Sequence, residues 1–97
     1  MGKGYIVVTY RKISSQDKWA AYAKLAAPAI QKAGGKFIVR GMPAKTFEAG
    51  MKERVVIVEF DSVHKALAAH DTPDYQAALK ALGDGAERDF RIVEGVN

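Results

Sequence analysis

The sequence predicts an α+β fold in which one antiparallel sheet of four strands carries its helices on a single face. Three observations lead there. Runs rich in β-branched and aromatic residues, at 5–10, 36–40 and 54–60, are separated by stretches of helical periodicity. The first helical stretch closes on Gly34-Gly35, and glycine accepts the left-handed conformation that a helix C-terminus needs. The second is broken at a Thr72-Pro73-Asp74-Tyr75 corner and then resumes.

Strand one covers residues 5–10, Tyr-Ile-Val-Val-Thr-Tyr. Ser14, Ser15 and Asp17 are candidate helix caps, and Trp19, Tyr22, Ala26, Ile30 and Ala33 recur at spacings of three and four. Pro28 removes one backbone bond and crowds the carbonyl of Lys24, so a kink or a second short segment is expected there. Strand two covers 36–40 and stops at Gly41 and Pro43. A polar loop spans about 44–52, and strand three covers 54–60. Two strands joined in this way predict an antiparallel hairpin. Asp61 or Ser62 caps a helix reaching about Ala69, and Thr72 caps a further segment to Leu82 with Pro73 at its first position, where a missing N–H costs little. Gly83-Asp84-Gly85 ends it, and residues 90–94 form a short last strand.

This β-α-β-β-α-β order is the split βαβ, ferredoxin-like arrangement, whose helices cover one sheet face only. Strand three nevertheless runs Val55-Val56-Ile57-Val58 before Glu59-Phe60, and strand one is apolar on both sides too. Burial on both faces needs cover from something other than the helices. A second copy, packed sheet to sheet, supplies it. At 97 residues the chain forms one domain, residues 1–97, small enough to gain from such pairing.

Composition narrows the function. Zero cysteines exclude disulfides, thiol catalysis and cysteine-based zinc sites. Fifteen Lys+Arg against eleven Asp+Glu give +4, yet Arg11-Lys12 is the only adjacent basic pair and no motif with aromatic stacking positions accompanies it, so nucleic acid is not an expected partner. Met1-Gly2-Lys3-Gly4 leads into strand-like sequence without an apolar signal segment, and no apolar run approaches the roughly 20 residues of a membrane span. No membrane partner and a cytoplasmic location are the expectations.

Several short signatures recur in one order. Gly4-Tyr5 opens strand one, Tyr22 sits in the first helix, and Gly34-Gly35 closes it. Arg40-Gly41 ends strand two, Glu48 lies in the loop and Glu59-Phe60 ends strand three. Pro73 and Tyr75 follow, with Glu94-Gly95-Val96 near the end. In this order and spacing the chain resembles the DUF1330 family over about residues 4–96. The resemblance implies a ferredoxin-like dimeric α+β barrel, with no established common activity. Two departures stand out. The family often has a large aromatic and an Asn-Ser before the corner proline, where this chain has Ala69-His70-Asp71-Thr72. It also often has an arginine after the second helix, where this chain has Gly83-Asp84-Gly85.

Six residues are candidates for ligand binding: Tyr22, Arg40, Glu48, Glu59, His70 and Tyr75. Arg40 and Glu59 sit at strand ends, as a charged pair at a cavity rim or as a structural ion pair. Period-two alternation places Glu59 with Val55 and Ile57, and Arg40 with Ile38 and Lys36. Glu48 either faces water or joins a site from its loop. His70, beside Asp71, has a general base's chemistry but also suits the end of a helical segment as a plain surface residue. Tyr22 and Tyr75 line a cavity or bond a carbonyl in the core, Tyr75 favouring the core beside Pro73. Trp19 is expected in core packing and His64 in solvent. Two histidines six apart are not the helical pair of zinc proteases, and neither a phosphate loop nor a serine nucleophile motif is present, so no metal and no cofactor are expected. Three functions remain open: a small-molecule binder with a cavity between sheet and helices, a cofactor-independent enzyme of the monooxygenase or isomerase kind, and a dimeric interaction module. The catalytic residues of such an enzyme are unknown at this level.

Overall fold

The computed structural model describes residues 2–96. The elements are β1 (Gly4–Ile13), α1 (Gln16–Lys32), β2 (Lys36–Gly41), β3 (Val55–Phe60), α2 (Val63–His70), α3 (Pro73–Leu82) and β4 (Ala86–Glu94). The strands form one sheet in the order β2-β3-β1-β4, and every neighbouring pair is antiparallel. This is the ferredoxin-like α+β fold.

Local chemistry sets the element ends. Ser15 caps α1 by accepting from the Lys18 amide at 3.2 Å, and Ser62 caps α2 through the Lys65 amide at 3.1 Å. At the corner Thr72 works in both directions: its hydroxyl accepts from the Tyr75 amide at 3.2 Å and donates to the Ala69 carbonyl at 2.9 Å. One side chain thus ties the end of α2 to the start of α3, with Pro73 at the first helical position. Gly34, at φ 97°, adopts the left-handed backbone that ends α1.

Three local expectations change. Residues 16–32 form one helix through Pro28 rather than two segments; Lys24, whose carbonyl loses its partner, is exposed and water can serve it. β4 begins at Ala86, four residues earlier than expected, and pairs with β1 along most of that strand's length. β1 itself continues past Tyr10 to Ile13 across a bulge. The glycines and charges at 83–89 hide this strand from a pattern search, and tertiary pairing with β1 overrides them.

The core lies between the sheet and the helices. Ile6, Val8, Tyr10, Val58 and Phe60 face Tyr22, Ala26, Ile30, Ala66, Tyr75 and Ala78, all buried. The opposite sheet face carries no helix. Across it Val39, Ile57, Val7 and Arg91 form one cross-strand row, and Val39 and Val93 remain 42% and 48% exposed.

Candidate functional site

Successive rows on the helix side of the sheet build a cavity against α1. One row is Phe37, Val58, Ile6 and Ile92, and the next is Arg40, Val56, Val8 and Phe90. In the third row Tyr10 stands opposite Arg88 of β4, while its amide donates to the Arg54 carbonyl at 3.0 Å. Arg54, just before β3, and Arg88 of β4 therefore flank Tyr10 from either side. Above this end of the sheet, α1 presents Trp19 and Tyr22, leaving a cavity of about 130 Å³ that Arg40, Arg54 and Arg88 also line.

Each arginine lies over an aromatic ring. Arg40 is 4.5 Å from the Phe37 centroid, and Arg54 is 5.2 Å from that of Trp19. Arg88 lies 4.8 Å from Tyr22, 5.5 Å from Phe90 and 5.6 Å from Tyr10. Such stacking holds a guanidinium plane while leaving its N–H edge available. Among the described residues none of these three arginines forms an ion pair, and the cavity lining includes no aspartate or glutamate.

Tyrosine hydroxyls extend the polar end. Arg88 Nη1 donates to the Tyr22 hydroxyl at 3.0 Å, the Tyr22 and Tyr75 hydroxyls share a hydrogen bond of 2.7 Å, and Trp19 Nε1 donates to the Tyr10 hydroxyl at 3.1 Å. Burial pushes the Tyr22 hydroxyl far above the ordinary phenol range; Tyr75 adds to the rise and Arg88 only partly opposes it. Tyr22 is therefore a neutral phenol at physiological pH. Burial disfavours the charge on Arg88, and the phenolic oxygens of Tyr22 and Tyr75 outweigh that effect, so its proton stays.

The six candidates separate in space. Tyr22, Tyr75 and Arg40 meet on the cavity, with Tyr75 also deep in the core at 1% exposure. Glu59 lies on the opposite sheet face, where its carboxylate accepts from the Tyr5 hydroxyl at 3.1 Å and stands 3.9 Å from Lys3. It pairs in register with Lys36, whereas Arg40 pairs with Val56, so an Arg40–Glu59 pair does not form. The cause is the irregularity between Phe37 and Val39, which breaks period-two alternation and turns Arg40 to the side of Phe37. Glu48 is exposed in the β2–β3 loop at φ 51°, away from the cavity. His70 bonds Asp71 at 3.1 Å and packs against the rings of Tyr75 and Phe90, both centroids 5.5 Å away.

The sequence reading missed Tyr10, Arg54 and Arg88, and it read Trp19 only as packing. The alternation Ala86, Arg88, Phe90, Ile92 carried the signal for Arg88, and starting the strand at Phe90 hid it. Among the described residues no group of three His, Asp or Glu could hold a metal ion, and no helix is long and apolar enough to cross a membrane.

The pattern of the family described as Domain of unknown function (DUF1330) matches residues 3–96, and the chain belongs to that family. Among solved structures it is similar to a protein of unknown function from Rhodopseudomonas palustris, at 19% identity and TM-score 0.72, covering 99% of this chain and 84% of that one. It is also similar to SnoaB, a cofactor-independent oxygenase from Streptomyces nogalater, at 12% identity and TM-score 0.62, with 100% and 96% covered. A third similar structure, at 16% identity and TM-score 0.58, is a dimeric protein of unknown function and ferredoxin-like fold from Bacteroides fragilis, with 98% of each chain covered. At these identities the likeness concerns the fold. No curated protein matches the chain.

Proposed function

We propose that this protein binds a small anionic molecule, a carboxylate first of all, in the cavity between α1 and the sheet. The observation that carries this reading is the convergence of Arg40, Arg54 and Arg88 on an aromatic-lined cavity without an acidic partner among the described residues. Partly buried charge is costly unless paired, and an anionic ligand supplies the pair. Arg40, exposed at the rim and followed by Gly41, is the proposed outer anchor, because a guanidinium grips a carboxylate through two parallel bonds. A thermal-shift screen of small carboxylic acids against wild type and Arg40→Lys tests it. Acids should raise the melting temperature of wild type and do so less in the variant. If no acid acts on wild type while the variant melts several degrees lower, Arg40 is structural and the binding reading fails.

The functional unit in this reading is a homodimer joined through the helix-free sheet face. Val7, Ile57, Val39 and Val93 support it, as does the dimeric state described for the Bacteroides fragilis protein. The charged Arg91 and Asp89 on that face are already paired by two bonds of 2.8 and 3.0 Å, which lowers the cost of covering them.

A second reading, a cofactor-independent oxygenase or isomerase, rests on the neutral Tyr22 phenol, bonded to Tyr75 and Arg88 and able to donate a proton at the cavity, and on the fold shared with SnoaB. Turnover of a bound acid, followed as oxygen uptake or isomer formation and abolished by Tyr22→Phe, would favour the enzyme over the binder.

A further inference from the structure

The polar end of the cavity is short of acceptors. Tyr22 and Tyr75 hold two hydroxyl protons but share a single mutual bond, and the other contact to Tyr22 is received from Arg88, not given. Whichever tyrosine donates to the other, one O–H proton has no acceptor among the described residues. Arg88 has five N–H groups and gives one hydrogen bond, to that same phenol. The protons left without an acceptor at this end, on Arg88 and on one phenol, call for an acceptor from outside the described residues.

We propose, building on the binding reading above, that the ligand is a compact, ring-sized acid with a second acceptor oxygen at its far end: an oxo acid or a dicarboxylate. Its carboxylate meets Arg40 and Arg54 toward the rim, and its far oxygen accepts from Arg88 and from the spare proton of the Tyr22–Tyr75 pair. Size supports the class. A cavity of about 130 Å³ is close to the roughly 150 Å³ apolar cavity known to hold a benzene ring. Length supports it too: Arg54, just before β3, and Arg88 of β4 lie on either side of β1, so their backbones are about 10 Å apart at two strand spacings. The aromatic and aliphatic lining takes the ring, and the arginines at both ends take the oxygens. The far oxygen is an acceptor because the groups left without partners there, the further Arg88 N–H groups and the spare phenol proton, are donors.

The test is calorimetry on the full chain with two matched pairs of probes: cyclohexanecarboxylate against 4-oxocyclohexanecarboxylate, and benzoate against terephthalate. A bond to a charged or buried donor pair makes the second member of at least one pair bind about tenfold tighter or more. The double variant Tyr22→Phe/Tyr75→Phe keeps both rings and removes both protons while Arg88 remains, so the preference, read as the ratio within each pair, should fall severalfold from its wild-type value. Equal binding of each pair to wild type overturns the far-oxygen proposal and leaves the anion-binding reading standing. Absence of binding by all four at millimolar concentration overturns both. A preference that survives undiminished in the double variant removes the tyrosines from the recognition. The wild-type comparison decides even if the double variant folds poorly.

Discussion

At the scale of single residues, Tyr75 joins the core to the cavity. It is 1% exposed, its amide is held by Thr72 and its hydroxyl by Tyr22. Tyr75→Ala should cost about 3–5 kcal/mol, the usual range for truncating a large buried aromatic. Pro73→Ala, two residues away and exposed, acts mainly through the freedom of the unfolded chain and should cost about 0.4–1 kcal/mol. Denaturant titrations of the two variants check the ratio, and equal small effects would contradict the role given to Tyr75. Arg40→Lys should leave stability nearly unchanged, since Arg40 has no ion pair among the described residues to lose, yet weaken acid binding by about 1.5–3 kcal/mol. Titration calorimetry with whichever acid the screen selects measures that loss directly.

At the scale of elements, the α2–α3 corner and the α1–β2 turn show how small groups position long ones. Thr72→Ala removes a cap and the bond to Ala69 together, and a cost of about 1–2 kcal/mol follows from the cap alone. Thr72→Ser keeps both bonds and should lose little; thermal melts of the pair separate hydrogen bonding from packing. Gly35 illustrates close approach: a Cβ there would come within 2.6 Å of Ile30, 2.7 Å of Phe60 and 2.8 Å of Val58. These are core atoms, so Gly35→Ala should cost about 1–3 kcal/mol by overpacking, readable as a lowered urea midpoint with unchanged slope. Gly41, by contrast, has open space around it. At the element scale much was legible in advance, because caps, glycine stops and apolar periodicity are local. The start of β4 was not, because 86–89 reads Ala-Glu-Arg-Asp and only pairing with β1 makes it a strand.

At the scale of the whole molecule, the helix-free face dominates. An exposed sheet with Val7, Ile57, Val39 and Val93 across its strands fits a partner surface, and stable homodimer interfaces tend to exceed roughly 2,000 Å² of strongly apolar area. Wild type should therefore run as a dimer by light scattering at micromolar concentration. Ile57→Lys, at the middle of that face, should convert it to monomer with its helical circular dichroism retained. A monomeric wild type would end the dimer reading.

The sequence by itself determined the element order, the caps, the corner and the presence of two apolar sheet faces, since each follows from interactions within a few residues or from strand alternation. It also brought Tyr22, Tyr75 and Arg40 forward as site candidates, which the fold gathers on one cavity. Only the tertiary structure decided that Glu59 and Arg40 part company, because one irregular step in β2 inverts the alternation after Phe37. Only the sheet order β2-β3-β1-β4 decided that Arg54 and Arg88, 34 positions apart in the chain, stand on either side of Tyr10. Charge convergence of this kind is a property of strand register. Register is fixed by packing across the sheet rather than by any local run of residues.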